Sequence, residues 1–191
     1  MGYRMKYSIL ALLFFGLVSS AFAEDYDLQY YLAKTSSQTS ELSQQEKGAL
    51  LSRMDEVMEQ AQQIHVRLIQ AIQTGEVDIQ YQEGKFWMSR LEQDEGLIEN
   101  GIQQIKLLKE KPTHLVASIK LYKSLKDISS NFNAYNNLPS FSAMVGDLAP
   151  EMELWADPIF YKLYLLPLAQ LKDSEKVLPQ KKKPIQKGKK P

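Results

Sequence analysis

The sequence predicts an all-α protein: an up-down antiparallel helical bundle of about four main helices, with a coiled-coil-like first hairpin and a disordered basic C-terminal tail. Three observations predict it. Apolar residues recur at spacings of three, four and seven, the period of a helix with one buried stripe. No stretch keeps the two-residue alternation of a half-buried strand. The breaks between long helices are one to three residues, which makes successive helices antiparallel neighbours.

The first element lies outside that fold. Arg4 and Lys6 precede the uncharged run Ile9–Val18, and "SSAFA" follows with Ala21 and Ala23 as small residues. This is the pattern of a secretory signal peptide, complete from Met5 onward, with cleavage expected after Ala23. Its apolar run is too short for a bilayer-spanning helix of about 20 residues. The expected organisation is therefore a signal peptide over 1–23, a short helix and polar linker over 24–42, a bundle domain over 43–178, and a Lys/Pro-rich tail over 179–191. The protein is expected in the periplasm or outside the cell.

Leu28, Tyr31 and Leu32 form one face of the short helix, and "TSSQTSELSQQ" reads as the linker. Ser43 and Glu46 match a capping box opening the first long helix. Leu50, Met54, Val57, Ala61, Ile64, Leu68 and Ala71 alternate spacings of four and three, a heptad seam. Leu51, Met58, His65 and Ile72 widen that stripe, which suits packing against more than one neighbour. Gly75 is the expected C-cap.

The second long helix is expected over 76–110, with Met88, Leu91, Ile98, Ile102, Ile105 and Leu108 on its stripe and Glu95 between Leu91 and Ile98. Gly84, Gly96 and Gly101 weaken it, and Gly96 marks an expected bend or break. Pro112 ends it and Thr113 caps the third helix, His114 to Phe132, with Leu115, Ile119, Tyr122, Leu125, Ile128 and Phe132 on one side. "NFNAYNNLPSF" reads as a loop of a kind that binds sugars or peptides, or as a plain connection. A short helix is expected around 141–146. Asp157-Pro158 should open the final helix, which Pro167 should kink or end.

That last helix holds the least polar stretch of the body, "PIFYKLYLLPLAQL". It is assigned to the bundle core, because three one-striped helices need a common apolar partner. A partner surface and membrane contact are the alternatives. Tyr161, Lys162 and Tyr164 mark the side expected to face water.

Charge is unevenly placed. Of the 23 Lys+Arg, two lie in the signal and six in the tail, so residues 24–180 hold the remaining 15 against all 23 Asp+Glu, a net charge of −8. Lys181, Lys182, Lys183, Lys187, Lys189 and Lys190 attract anionic surfaces, such as lipid headgroups, acidic glycans or an acidic protein. Export sets nucleic acid aside. With no cysteine, disulfides, lipoprotein processing and C-x-x-C-H haem attachment are excluded.

Catalytic motifs are missing too. The sequence has no Gly-rich phosphate loop, G-x-S-x-G, H-E-x-x-H or paired Glu-x-x-His. No catalytic residue and no metal ligand is assigned. His65 is the one candidate cofactor ligand, for haem or metal, with Met54 or Met58 beside it; its plainer role is a half-buried hydrogen bond. Met54, Met58, Trp87 and Trp155 read as core packing. In "LEQDEG", Glu95 is expected to make a structural ion pair rather than to catalyse. The function expected is therefore non-enzymatic: an exported, adaptor- or chaperone-like protein that binds a protein or the envelope surface and needs no cofactor. The alternatives are an assembly subunit that oligomerises through the first long helix, and a small-ligand or haem carrier that uses the bundle interior.

Overall fold

The structure, a computed structural model, describes residues 26–37, 41–77 and 81–177. The expected signal peptide and the lysines from Lys181 to Lys190 lie outside the described residues. What is described is all-α: α1 (Leu28–Thr35), α2 (Gln44–Thr74), α3 (Tyr81–Glu110), α4 (Leu115–Asn136), α5 (Pro139–Val145), α6 (Leu148–Leu154), a π-helical segment (Trp155–Leu165) and α7 (Leu166–Val177).

Residue pairings give the topology. Lys109 of α3 pairs with Asp55 of α2, while His65 near the other end of α2 meets Leu91. Asn100 bonds Ser124 of α4, while Asp94 meets Tyr135. Ser129 bonds the Ala149 carbonyl, while Tyr122 bonds Asp157. Each pair of numbers rises on one helix and falls on the next, so successive long helices are antiparallel. α5 and α6 also pack on α2, which closes four helical columns around one core.

α2 forms where its caps predict. Glu46 N donates to the Ser43 hydroxyl while Ser43 N donates to the Glu46 carboxylate, satisfying two otherwise orphaned amides. Gly75 closes the far end at φ 70°, a left-handed conformation natural to glycine. The heptad seam is buried as expected, with Ile64 and Ile72 at its edge. α1 is clasped onto this end. The Tyr31 hydroxyl donates to the Glu46 carbonyl at 2.7 Å, its ring meets Trp155 at 5.9 Å, and Lys34 and Tyr30 both bond the Glu46 carboxylate. Leu42, in the expected linker, is buried as well.

Several expectations need correction. α3 starts at Tyr81, not 76, and runs through Gly96 without a break. Packing with α2 and α4 outweighs the roughly 1 kcal/mol per glycine that propensity costs. Gly101 has a positive role: a Cβ there would lie 2.1 Å from Met58 Cε, so its absence lets α2 and α3 approach. A Cβ at Gly96 meets nothing within 4 Å. Gly96→Ala should therefore raise stability by about 0.5–1 kcal/mol, read as a higher urea midpoint with an unchanged slope.

Glu95 is exposed, and Asp94 takes the buried position. Both fall between Leu91 and Ile98 at helical spacing, so periodicity cannot choose; the position of α4 does. His114, not Thr113, caps α4, its Nδ1 accepting from Ala117 N at 3.1 Å. α4 continues to Asn136, so much of the loop expected over 131–141 is helix, with Phe132 and Tyr135 fully buried. Asn131 and Tyr135 stay helical because Asp94 receives their hydrogen bonds.

The final column does not start at Asp157-Pro158. It starts at Leu148, with Pro150 in its first turn, and runs unbroken to Val177, past Pro158 and Pro167. Pro158 has no N–H and would clash with an α-helical carbonyl four residues back; the wider π turn relieves that clash. Asp157 turns outward to Tyr122 and Lys126 instead of capping. Within "PIFYKLYLLPLAQL", Ile159, Phe160, Leu163, Tyr164, Leu165 and Leu168 are buried, the core role expected. Tyr161 and Lys162 are exposed, but Tyr164 is not: its hydroxyl donates to the Pro112 carbonyl at 2.9 Å.

Candidate functional site

The Tyr164–Pro112 bond brings the start of α7 against the α3–α4 turn. A shallow groove there is lined by Leu42, Lys47, Pro112, Thr113, Pro167 and Leu168, with Leu171 at its rim. This end of the bundle collects large exposed apolar side chains. Leu171 is 60% exposed and Val116, in the first turn of α4, 57%. Ile119 lies one turn further along α4, and Tyr161 and Leu166 are on the facing column. The Tyr122 and Tyr161 rings, 5.5 Å apart, fix α4 and that column side by side here.

Helical periodicity explains the exposure. Ala117, Leu121, Ser124, Leu125 and Ile128 take the buried side of α4, which leaves Val116 and Ile119 outside it. Ile119 was expected on the core stripe; it is exposed, while its neighbour Ser118 is fully buried. Lys111, Lys120 and Lys162 are exposed around these side chains. Glu41, Glu110 and Asp173 are the exposed acids nearby. Val177, the last residue of α7, is followed in the sequence by the six tail lysines, which lie outside the described residues.

A charge network borders the patch. Lys126 bonds both Glu153 and Asp157, and Tyr122 donates to Asp157 at 2.6 Å. The Lys126 ammonium and then the Tyr122 hydroxyl hold the Asp157 carboxyl below its ordinary range. These groups satisfy one another, so they pin the column to α4 rather than offer an open charge.

His65 is elsewhere. It is buried between α2 and α3, with Nε2 at 2.8 Å from the Leu91 carbonyl. A carbonyl only accepts, so Nε2 carries the hydrogen and a metal would have to break that bond. Met54 and Met58 are fully buried in the core. Beside His65 runs a mixed groove lined by Gln62, Gln70, Gln73, Glu95 and Glu99 together with Val66, Ile69 and Ile98. Among the described residues no three His, Asp or Glu side chains converge as a metal site. No helix of the described residues is long and apolar enough to cross a membrane.

Sequence reasoning missed one polar cluster outright. Asp94, fully buried, accepts from Asn131 Nδ2 and the Tyr135 hydroxyl, and Arg90 bonds Asn131. The available signal was the spacing Ile128–Phe132–Tyr135, which carries the third helix beyond Asn131.

Compared with protein-family models, curated proteins and solved structures, the chain matches none. The arrangement itself must therefore speak for function. Exposed apolar side chains accompanied by exposed lysines such as Lys120 and Lys162 can engage a surface whose outer layer is anionic and whose next layer is apolar.

Proposed function

We propose that the chain is an exported, non-enzymatic binding protein, periplasmic or secreted, that docks end-on to an anionic lipid surface. The observation that carries this is that Val116, Ile119, Leu166 and Leu171 are exposed on the elements flanking the Tyr164–Pro112 bond, in a chain whose sequence continues into six lysines. The body's net charge of −8 opposes any other orientation, because an anionic surface repels it. Export is supported by the signal-peptide pattern ending at Ala23. Each lysine near an acidic bilayer contributes about 1 kcal/mol, and the attraction fades within about 8 Å at physiological salt.

Two alternatives fit less well. Oligomerisation through the first long helix needs a free seam, yet Leu50, Met54, Val57, Ala61, Leu68 and Ala71 are buried within the chain's own bundle. A haem or small-ligand carrier needs His65 released from Leu91.

Cosedimentation with vesicles tests the proposal. The protein should bind phosphatidylglycerol vesicles at low salt, bind neutral phosphatidylcholine vesicles poorly, and release at high salt. At low salt, deleting residues 181–191 and their six lysines should weaken binding by on the order of ten-thousandfold. Equal binding to both vesicle types, or no effect of the deletion, would remove the lipid surface. Retained binding to an acidic protein would then point to the protein-partner version.

A further inference from the structure

Asp94 is fully buried where α2, α3 and α4 meet. Both hydrogen bonds to its carboxyl come from neutral groups of α4: Asn131 Nδ2 to Oδ1 and the Tyr135 hydroxyl to Oδ2. The charged and titratable neighbours face it without bonding it. Arg90, one turn earlier on α3, donates from Nη2 to the Asn131 side-chain Oδ1, and its Nε is buried with no acceptor. His65, from α2, directs Nε2 to the Leu91 carbonyl. α5 contributes only the Phe141 ring, 6.1 Å from Tyr135, and Trp87 of α3 closes the side at 5.5 Å. An ionisable acid is thus sealed from water with two neutral partners. A carboxylate so placed is costly to keep charged, whereas one proton removes the charge and disturbs one hydrogen bond.

We propose that Asp94 is a proton-binding site that locks α3 to α4, holding the bundle more tightly when its carboxyl carries a proton and loosening it when the proton leaves. The added proton settles on Oδ2 and turns to the Tyr135 oxygen, whose own hydrogen swings away. Oδ1 keeps the bond from Asn131. Burial is the main influence and raises the Asp94 carboxyl above the ordinary aspartate range; Tyr135, Asn131, Arg90 and His65 pull it back by smaller amounts. For an acid raised on folding, the stability it supplies is complete below its unfolded value. That stability is lost as pH rises through the folded value. On the export proposal the surrounding medium sets this pH, but the site's titration does not depend on where the protein resides.

A carboxyl ¹³C NMR titration of the protein, with the Asp94 resonance assigned through bonds to its own backbone, reads the site directly. The midpoint should lie above the ordinary aspartate range. The urea midpoint of Asp94→Asn should exceed that of the unaltered protein by an amount that grows as pH rises through the same interval. A titration midpoint at or below the ordinary range overturns the proposal, and so does a difference in urea midpoints that does not change with pH. If Asp94→Asn does not fold, Tyr135→Phe serves instead. Removing one donor to the carboxylate should move the NMR midpoint further up, and an unmoved or lowered midpoint overturns the lock.

Discussion

Phe160→Ala should cost about 3–5 kcal/mol, the range for emptying an aromatic site in a core that relaxes only in part. Phe160 is fully buried and stacks on Tyr164 with ring centroids 5.0 Å apart. It sits in the π-helical segment, which packs against α4 and α1. The loss would take a large share of the 5–15 kcal/mol typical of a domain. Urea denaturation should show a much lower midpoint at unchanged slope. The same variant, measured where it remains folded, should bind anionic vesicles as the unaltered protein does. If it loses vesicle binding but keeps its stability, the stretch touches the membrane and is not core.

Glu46→Gln should cost about 2–3 kcal/mol and release α1 from the bundle. This carboxylate is a hub: Ser43 N, the Tyr30 hydroxyl and Lys34 all bond it. Burial works against its charge, but Lys34, Tyr30 and Ser43 together outweigh burial and hold the carboxyl at about 2, below its usual value. The sign is opposite to that of Asp94. An acid lowered on folding supplies stability that is complete above its unfolded value, about 4.3, and is lost as pH falls toward about 2. Stability measured from pH 7 down to pH 2 should therefore fall for the unaltered protein and fall less for Glu46→Gln. Proteolysis near Thr35 should become faster in the variant, since α1 is held largely through this residue and Tyr31.

Much of the fold was legible in the chain because helical signals are local. The Ser43–Glu46 box, the Gly75 cap and the heptad seam of α2 each depend on residues within one or two turns. The short helix with Tyr31 inward and the core role of Ile159–Leu168 were legible for the same reason. The elements that differed share another cause. Glu95 and Asp94 fit the stripe equally until α4 supplies Asn131 and Tyr135 as partners. Gly96, Asn131 and Pro158 are local breakers, yet each sits inside a helix because neighbouring columns hold the backbone there. Of the candidate site, the lysines were legible as composition. The exposed apolar side chains were not, since which of Val116, Ile119, Leu166 and Leu171 stay outside depends on how the columns pack.

The sequence by itself determined that this chain is all-α, where its first long helix starts and stops, which face of that helix is apolar, and that its charge divides into an acidic body and a basic tail. Those properties follow from period, caps and composition, which act over a few residues. Only the tertiary structure decided which acid is buried, how the final column passes Pro158 and Pro167, and which apolar side chains are left outside. These depend on partners 30 or more residues away, as Asp94 and Tyr135 do with a separation of 41. A buried polar group is stable only where such a distant partner meets it, and no local pattern encodes that meeting.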